Sequence, residues 1–189
     1  YAPELSNLAA LPAGVSVSSL KATRRTHAAL VERHLTLGAG PATTHPFVAL
    51  NTAFLDDGLF VWLPPQTVLA VPLYLVCLST GQAGATAVSH PRVLLLAGER
   101  SEVQVVERYE AGADRPYFTN AVTEIVAEPG AVVDHYRVQQ EAAGAFHLGS
   151  LFVRVGHAST FSSHAFSFGG QLVRNDVVAT LDGEGATCT

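Results

Sequence analysis

The chain has 189 residues, of which 48% are hydrophobic and only 14% charged, and its formal net charge is −5. That length supports one domain with a substantial core, and the acidic balance excludes an electrostatic case for nucleic-acid binding. No apolar run reaches the ~18 residues of a membrane-spanning helix, no secretory signal is visible, and the two cysteines, Cys77 and Cys188, are too few and too distant for a disulfide framework or a zinc pattern.

These features lead us to expect a soluble intracellular protein. Position 1 is Tyr, methionine is absent throughout, and the chain stops at Thr189 within strand-like sequence. We therefore expect a chain cut at both ends.

Residues 1–40 read as a small N-terminal helical segment. Val15-Ser16-Val17 is a short strand candidate. Ser19 or Thr23 caps a helix reaching about Leu35, with Ala28, Val31 and Leu35 on one face. Gly38 and Gly40 suit its C-terminal end. Residues 41–189 read as the main body. After a loop to Pro46, the helical spacing of Phe47, Leu50, Phe54 and Leu55 predicts a short helix. Asp57-Gly58 reads as a tight turn. Leu59 to Leu63 is a strand closed by Pro64-Pro65, which cannot donate to a ladder. Val68 to Leu78 holds one or two more strands.

From His90 onward a phrase recurs. It reads Gly, two free positions, a small residue, a polar one and an apolar one. Copies begin at Gly98, Gly156 and Gly183, with a weaker one at Glu128-Pro129-Gly130-Ala131, so successive starts lie 30, 28 and 27 residues apart. Alternating, valine-rich segments flank every copy, which makes the unit strand–turn–strand. A propeller blade needs about 40 to 45 residues, so the period is too short for one. A sandwich gives no reason for its turns to repeat in composition. A stacked β-solenoid does, because equivalent turns lie on one another and ask for the same small residue. The expected fold is therefore mainly β, a parallel β-helix with a small helical segment before it.

The chemistry-bearing residues are weaker signals. His135 alternates with Arg137, Gln139 and Glu141 in one strand, which reads as an outward, solvated face. His164 alternates with Ser162 and Phe166 and reads as a partly buried wall residue. Cys188 occupies the apolar slot after the fourth turn, where Val103 and Phe161 stand in other copies. It reads as a small hydrophobe, as does Cys77 in the most apolar strand. His164 and Cys188 are the only metal-site candidates, and both are weak. There is no Walker-type phosphate loop, nucleophile elbow or metalloprotease histidine pair. No catalytic residue is assigned, and cofactor-binding residues are not identifiable.

The stretch from Phe47 through Asn51 and Asp57-Gly58 to Pro64 resembles the entry to the core of the SufB/SufD family of iron–sulfur cluster assembly proteins. Supporting stretches run from His90 to Gly98, Val132 to Gln139, and Asp182 to Thr189. Leu11 to Val15 and the helix through His34-Leu35 add to the resemblance, which extends over essentially the whole chain. It implies a right-handed parallel β-helix and a non-catalytic scaffold role in the SUF system. The implied partners are a SufB-like protein and the ATPase SufC, with pairing to a second copy left open. It implies no cofactor bound by this chain, the iron–sulfur cluster being held transiently at the level of the complex. The implied location is the cytoplasm, or the plastid stroma in a plant or alga.

SufB carries a sulfur-accepting Cys shortly before the turn that corresponds to Gly183, and Ala179 stands there in this chain. The resemblance is therefore to the SufD branch. The SufC-contacting helical region and the interface histidine of that branch fall beyond Thr189. The alternatives are a carbohydrate-active β-helix enzyme, which would need a row of Asp, Lys or Arg on one face, and a purely structural solenoid.

Overall fold

The structure, a computed structural model, describes residues 1–35, 45–80, 86–112 and 114–189. Gly38, Gly40 and most of the expected loop before Pro46 lie outside the described residues.

The N-terminal part contains strand β1 (Ser16–Ser19) and helices α1 (Leu20–Thr26), α2 (Ala28–His34) and α3 (Pro46–Ala53). Eleven further strands follow: β2 (Leu59–Leu63), β3 (Leu73–Ser79), β4 (Ala87–Ser89), β5 (Arg92–Ala97), β6 (Glu102–Ala111), β7 (Tyr117–Ala127), β8 (Val132–Gln140), β9 (Phe146–Gly156), β10 (Thr160–Ser167), β11 (Leu172–Asp182) and β12 (Thr187–Cys188). They form two sheets. One runs β1-β2-β5-β7-β9-β11, with β4 beside β7, and the other runs β12-β10-β8-β6-β3. Every pairing is parallel except β1 with β2. The chain passes alternately from one sheet to the other, giving a parallel β-solenoid of about four turns, as the repeat predicts.

The recurring phrase is the tight corner between the sheets. Five corners stack, one more than the sequence discloses. The bridge of Val68 to Glu102 and the registers Glu102–Val132–Thr160–Thr187 put Gln66, Arg100, Gly130, Ala158 and Gly185 in one column. All five have left-handed backbone, with φ of 63°, 54°, 71°, 52° and 72°. Each of the first four donates its N–H to a carbonyl of the next corner: Gln66 to Glu99 (2.7 Å), Arg100 to Pro129 (3.0 Å), Gly130 to His157 (2.9 Å) and Ala158 to Glu184 (2.9 Å). The first corner escapes detection because Pro64 stands where Gly98, Gly156 and Gly183 open three of the others.

The small residue one step on, Ser101, Ala131 or Ser159, is buried inside the corner. A left-handed L-residue costs about 1–2 kcal/mol, while glycine loses ~0.5–1 kcal/mol of extra chain entropy on folding. Ala158→Gly should therefore raise stability by up to about 1 kcal/mol. A lower urea midpoint for that variant would contradict the corner geometry.

The N-terminal part is tied to the first sheet. Ser19 Oγ accepts the Ala22 N–H and caps α1. Asp57 supports it, its carboxylate accepting from Ser19 Oγ (2.8 Å) and from the Lys21 N–H (2.9 Å). Asp57-Gly58 is thus an anchor for a helix start and not the tight turn expected from its sequence. The single helix expected to Leu35 is broken at His27, whose φ of −136° is not helical. Leu20 and Val31 pack on Phe60, Leu94, Leu96 and Val126, while Val48 packs on Val122 and Phe152. The helices thus cover the outer face of the first sheet, and β1 covers the edge of β2. Buried Arg92 locks the arrangement through Glu124 (2.8 Å), Asn51 Oδ1 (3.1 Å) and the Leu35 carbonyl (3.0 Å).

Candidate functional site

The solenoid interior has two halves. Near the tight corners it is apolar, with Val61, Leu63, Leu95, Val103, Ile125, Val133, Val153 and Phe161 in one buried cluster. Further along the same strands the inward positions become polar and charged. They include Glu107 and Tyr109 on β6, Thr119 and Thr123 on β7, His135, Arg137 and Gln139 on β8, and His147 on β9, with Glu141 just after β8. All are buried.

Alternation explains who shares this space. Residues 105, 107 and 109 follow Val103 inward, and 135, 137 and 139 follow Val133 inward. The strand face of His135, Arg137, Gln139 and Glu141 is therefore interior. The outward reading is corrected here, because alternation groups residues by face without saying which face is enclosed.

Glu107 is the hub. One carboxylate oxygen accepts from Tyr109 OH (2.7 Å) and Thr123 Oγ1 (2.6 Å). The other faces His135 Nε2 (3.0 Å) and accepts from Arg137 Nε (3.2 Å) and Nη2 (3.0 Å). His135 reaches on through Nδ1 to Ser163 Oγ of β10 (3.1 Å). Arg137 lies over the Tyr109 ring at 5.9 Å.

A second carboxylate extends the cluster. Glu141 accepts from Thr119 (2.7 Å) and Gln139 (3.1 Å), and it sits 2.7 Å from His147 Nδ1. Tyr109 meets His147 edge-on at 4.6 Å. Gly149 makes room for the guanidinium. A Cβ there would lie 2.5 Å from Arg137 Nη1 and 2.9 Å from Asn175 Oδ1.

The charges are fixed by their surroundings. Burial alone would raise the Glu107 pKa, but the Arg137 charge and the contacts from His135 and Thr123 outweigh it and hold the carboxyl well below its usual range. Glu141 is also held low: burial alone would raise its pKa, but the close approach of His147 and the bonds from Thr119 and Gln139 outweigh it. Burial, then the Glu107 charge, pushes the Tyr109 phenol well above its ordinary value. Glu107 thus stays ionised and Tyr109 neutral over a wide pH range, and the two brace the rungs as a fixed charge and a fixed donor.

A consequence follows for acid stability. The folded carboxylates titrate below about pH 4.5, where unfolded glutamates take up protons. Their stabilisation is complete above that value and is lost as pH falls through the folded pKa values. Urea midpoints should fall modestly below about pH 6.5, where His34 and His90, held low by burial, resist the protons their unfolded forms take up, and should drop further below about pH 4.5. Glu107→Gln should make the drop shallower, and an unchanged slope would contradict the assignment.

The sequence candidates fall elsewhere. His164 is exposed, on the outer face of β10, and stacks on Tyr136 at 5.2 Å, so it is not a partly buried wall residue. Its parity with Ser162 and Phe166, opposite to Phe161, sends it outward. Cys188 stands level with Phe161, as the turn alignment requires, and packs against the apolar half of the interior. Cys77, level with Tyr109, points inward from β3. Burial, reinforced by the Glu107 charge, pushes its thiol up to about 12, so it stays protonated. A cavity of about 400 Å³ opens beside it, lined in part by Leu78, Ser79, Ala87, Tyr117 and Phe118. Among the described residues no group of three or more His, Cys, Asp or Glu is arranged to hold a metal ion.

Nothing in the sequence singled out Glu107, Tyr109, Thr123 or His147. The usable signal was parity. Counting in twos from the buried apolar slot after each corner leads to Glu107 and Tyr109 on one rung, and to His135 and Arg137 on the next.

Comparison with known proteins supplies the relationship that geometry alone does not. A family profile for the SufBD protein N-terminal region matches residues 1–75, and one for the SufBD core domain of SUF-system FeS cluster assembly matches residues 78–189. An iron–sulfur cluster assembly SufBD family protein of Synechocystis sp. is 29% identical over 97% of this chain and 42% of its own length. Protein ABCI7, chloroplastic, of Arabidopsis thaliana is 31% identical over 69% of this chain and 29% of its own. The iron–sulfur cluster assembly protein SufD of Escherichia coli is 29% identical over 62% of this chain and 28% of its own. The chain thus spans less than half the length of these relatives.

Proposed function

Because the chain belongs to the SufB/SufD family, we propose that it is part of a non-catalytic scaffold subunit for iron–sulfur cluster assembly, working with a SufB-like subunit and a SufC-like ATPase. The observation that carries this reading is the pair of family matches, which together take in nearly every residue and meet within β3.

The physical role fits the fold. A solenoid whose corners are hydrogen-bonded rung to rung, and whose interior is braced by buried charge, is stiff along its length. Such a body holds partner surfaces at fixed separation, which is what a scaffold contributes. The iron–sulfur cluster is cargo of the assembly, and no residue described here is assigned to bind it. Ala179 on β11, at the position the resemblance gives to the SufB sulfur acceptor, supports a place in the SufD branch. No helix among the described residues is long and apolar enough to cross a membrane. The proposed location is the cytoplasm, or the plastid stroma in a plant or alga.

The test is loss of function in the host. Depleting the protein should lower the activity of an iron–sulfur dehydratase several-fold and leave a cluster-free control enzyme unchanged. Equal activity of both enzymes would overturn the proposal and favour a purely structural solenoid.

A further inference from the structure

We infer that the outer face of the α1–α2 pair is a docking surface for a short acidic segment of a partner protein, whose carboxylates are held by Arg24, Arg25 and Arg33. Charge is divided unevenly along the chain. Residues 20–35 carry four of its eleven Lys and Arg but only one of its sixteen Asp and Glu, a local charge of +3 in a chain of −5. The remainder therefore stands at −8.

Arg24, Arg25 and Arg33 are all exposed, and none has an ion-pair partner among the described residues. Every other described Lys or Arg except Arg115 is paired with an acid. Residues 36–44, 81–85 and 113 contain no Asp or Glu, so they cannot supply carboxylates to the three arginines. The charges also act together. Burial, then Arg154 and Arg33, holds the pKa of His34 below its ordinary value, which places the field of both guanidiniums at the end of α2.

Three considerations choose the occupant. First, guanidinium groups bind carboxylates through pairs of parallel hydrogen bonds, so exposed arginines suit an acidic segment better than lysines would. Second, the apolar side of the helices is already spent: Leu20 and Val31 pack on the first sheet. Their exposed neighbours include only Ala22, Thr26, Ala28 and Ala29, which gives a lipid surface nothing to bury. Third, a long polyanion such as nucleic acid would bring its charge against the −8 of the remaining chain. A short segment reaches the arginines within a screening length and escapes that repulsion.

The probe is a capped, dye-labelled ten-residue peptide of alternating Glu and Ser, beside the same peptide with Gln for Glu. Anisotropy is read with the full-length protein at low salt. The Glu peptide should bind and the Gln peptide should not. Replacing the three arginines together, Arg24→Gln, Arg25→Gln and Arg33→Gln, should weaken binding by about tenfold or more without lowering the urea midpoint. Arg115→Gln, which removes a like exposed charge elsewhere, should weaken it by less than about twofold. Failure of the Glu peptide to bind, or an equal loss from Arg115→Gln, would overturn the inference. Tighter binding of anionic vesicles or of a duplex oligonucleotide through the same arginines would overturn it too. So would a triple variant that unfolds more easily or passes from dimer to monomer, because the carboxylates would then belong to the full-length chain itself or to a second copy.

Discussion

Glu107→Ala should destabilise the protein by about 3–5 kcal/mol, the cost of leaving a buried charge without its partner. Arg137 would keep its charge inside the solenoid with no carboxylate facing it. Tyr109, Thr123 and His135 would lose the same acceptor. Typical domains have only about 5–15 kcal/mol in total, so the loss should be plain in urea unfolding at pH 7. A second variant separates charge from hydrogen bonding. Replacing the pair together, Glu107→Leu with Arg137→Met, removes both ions and should recover part of the loss, the part owed to the unpaired Arg137 charge, while Tyr109, Thr123 and His135 still lack their acceptor. If the double variant is as unstable as the single one, the hub acts through the hydrogen bonds Glu107 accepts and not through paired charge.

The second large effect belongs to the corners. Gly98→Ala should cost about 2–3 kcal/mol, at the upper end of overpacking penalties. Its Cβ would lie 2.6 Å from the Leu63 carbonyl oxygen and 2.7 Å from the Pro65 nitrogen. Both are backbone atoms of the adjacent corner, so the rung spacing itself must open. The bonds from Gly98 to Leu63 and from Gln66 to Glu99 should then exchange faster than any others in the stack. Glu128 is the internal control. It holds the equivalent place one rung on and already bears a side chain, so Glu128→Ala should change stability by no more than about 0.5 kcal/mol. Similar losses at both positions would contradict the close-approach explanation.

These two sites show how much of the molecule was legible. The corners could be read because stacking forces the same demand on every rung. Gly98, Gly156 and Gly183 repeat for that reason, and Glu128 breaks the phrase without hiding it. The corner at Pro64-Pro65 was invisible, because it is the first of the described stack, with no earlier corner against which a side chain would clash. The interior cluster was hidden for another reason. Charged residues are almost never fully buried unless paired, so His135 and Arg137 read as outward. Their partner Glu107 lies 28 residues from His135 in sequence, and only the one-rung register brings the two together. The inward parity was present in the sequence, and the identity of the partner was not. The helix break at His27 and the anchoring role of Asp57 depend likewise on contacts between segments distant in the chain.

The central claim is that this chain serves as a scaffold in iron–sulfur cluster assembly, and co-purification tests it most directly. The full-length protein, tagged and isolated from its host under reducing conditions, should bring down a SufB-like subunit and a SufC-like ATPase in fixed proportion. Recovery of neither partner with the folded wild-type protein would contradict the account.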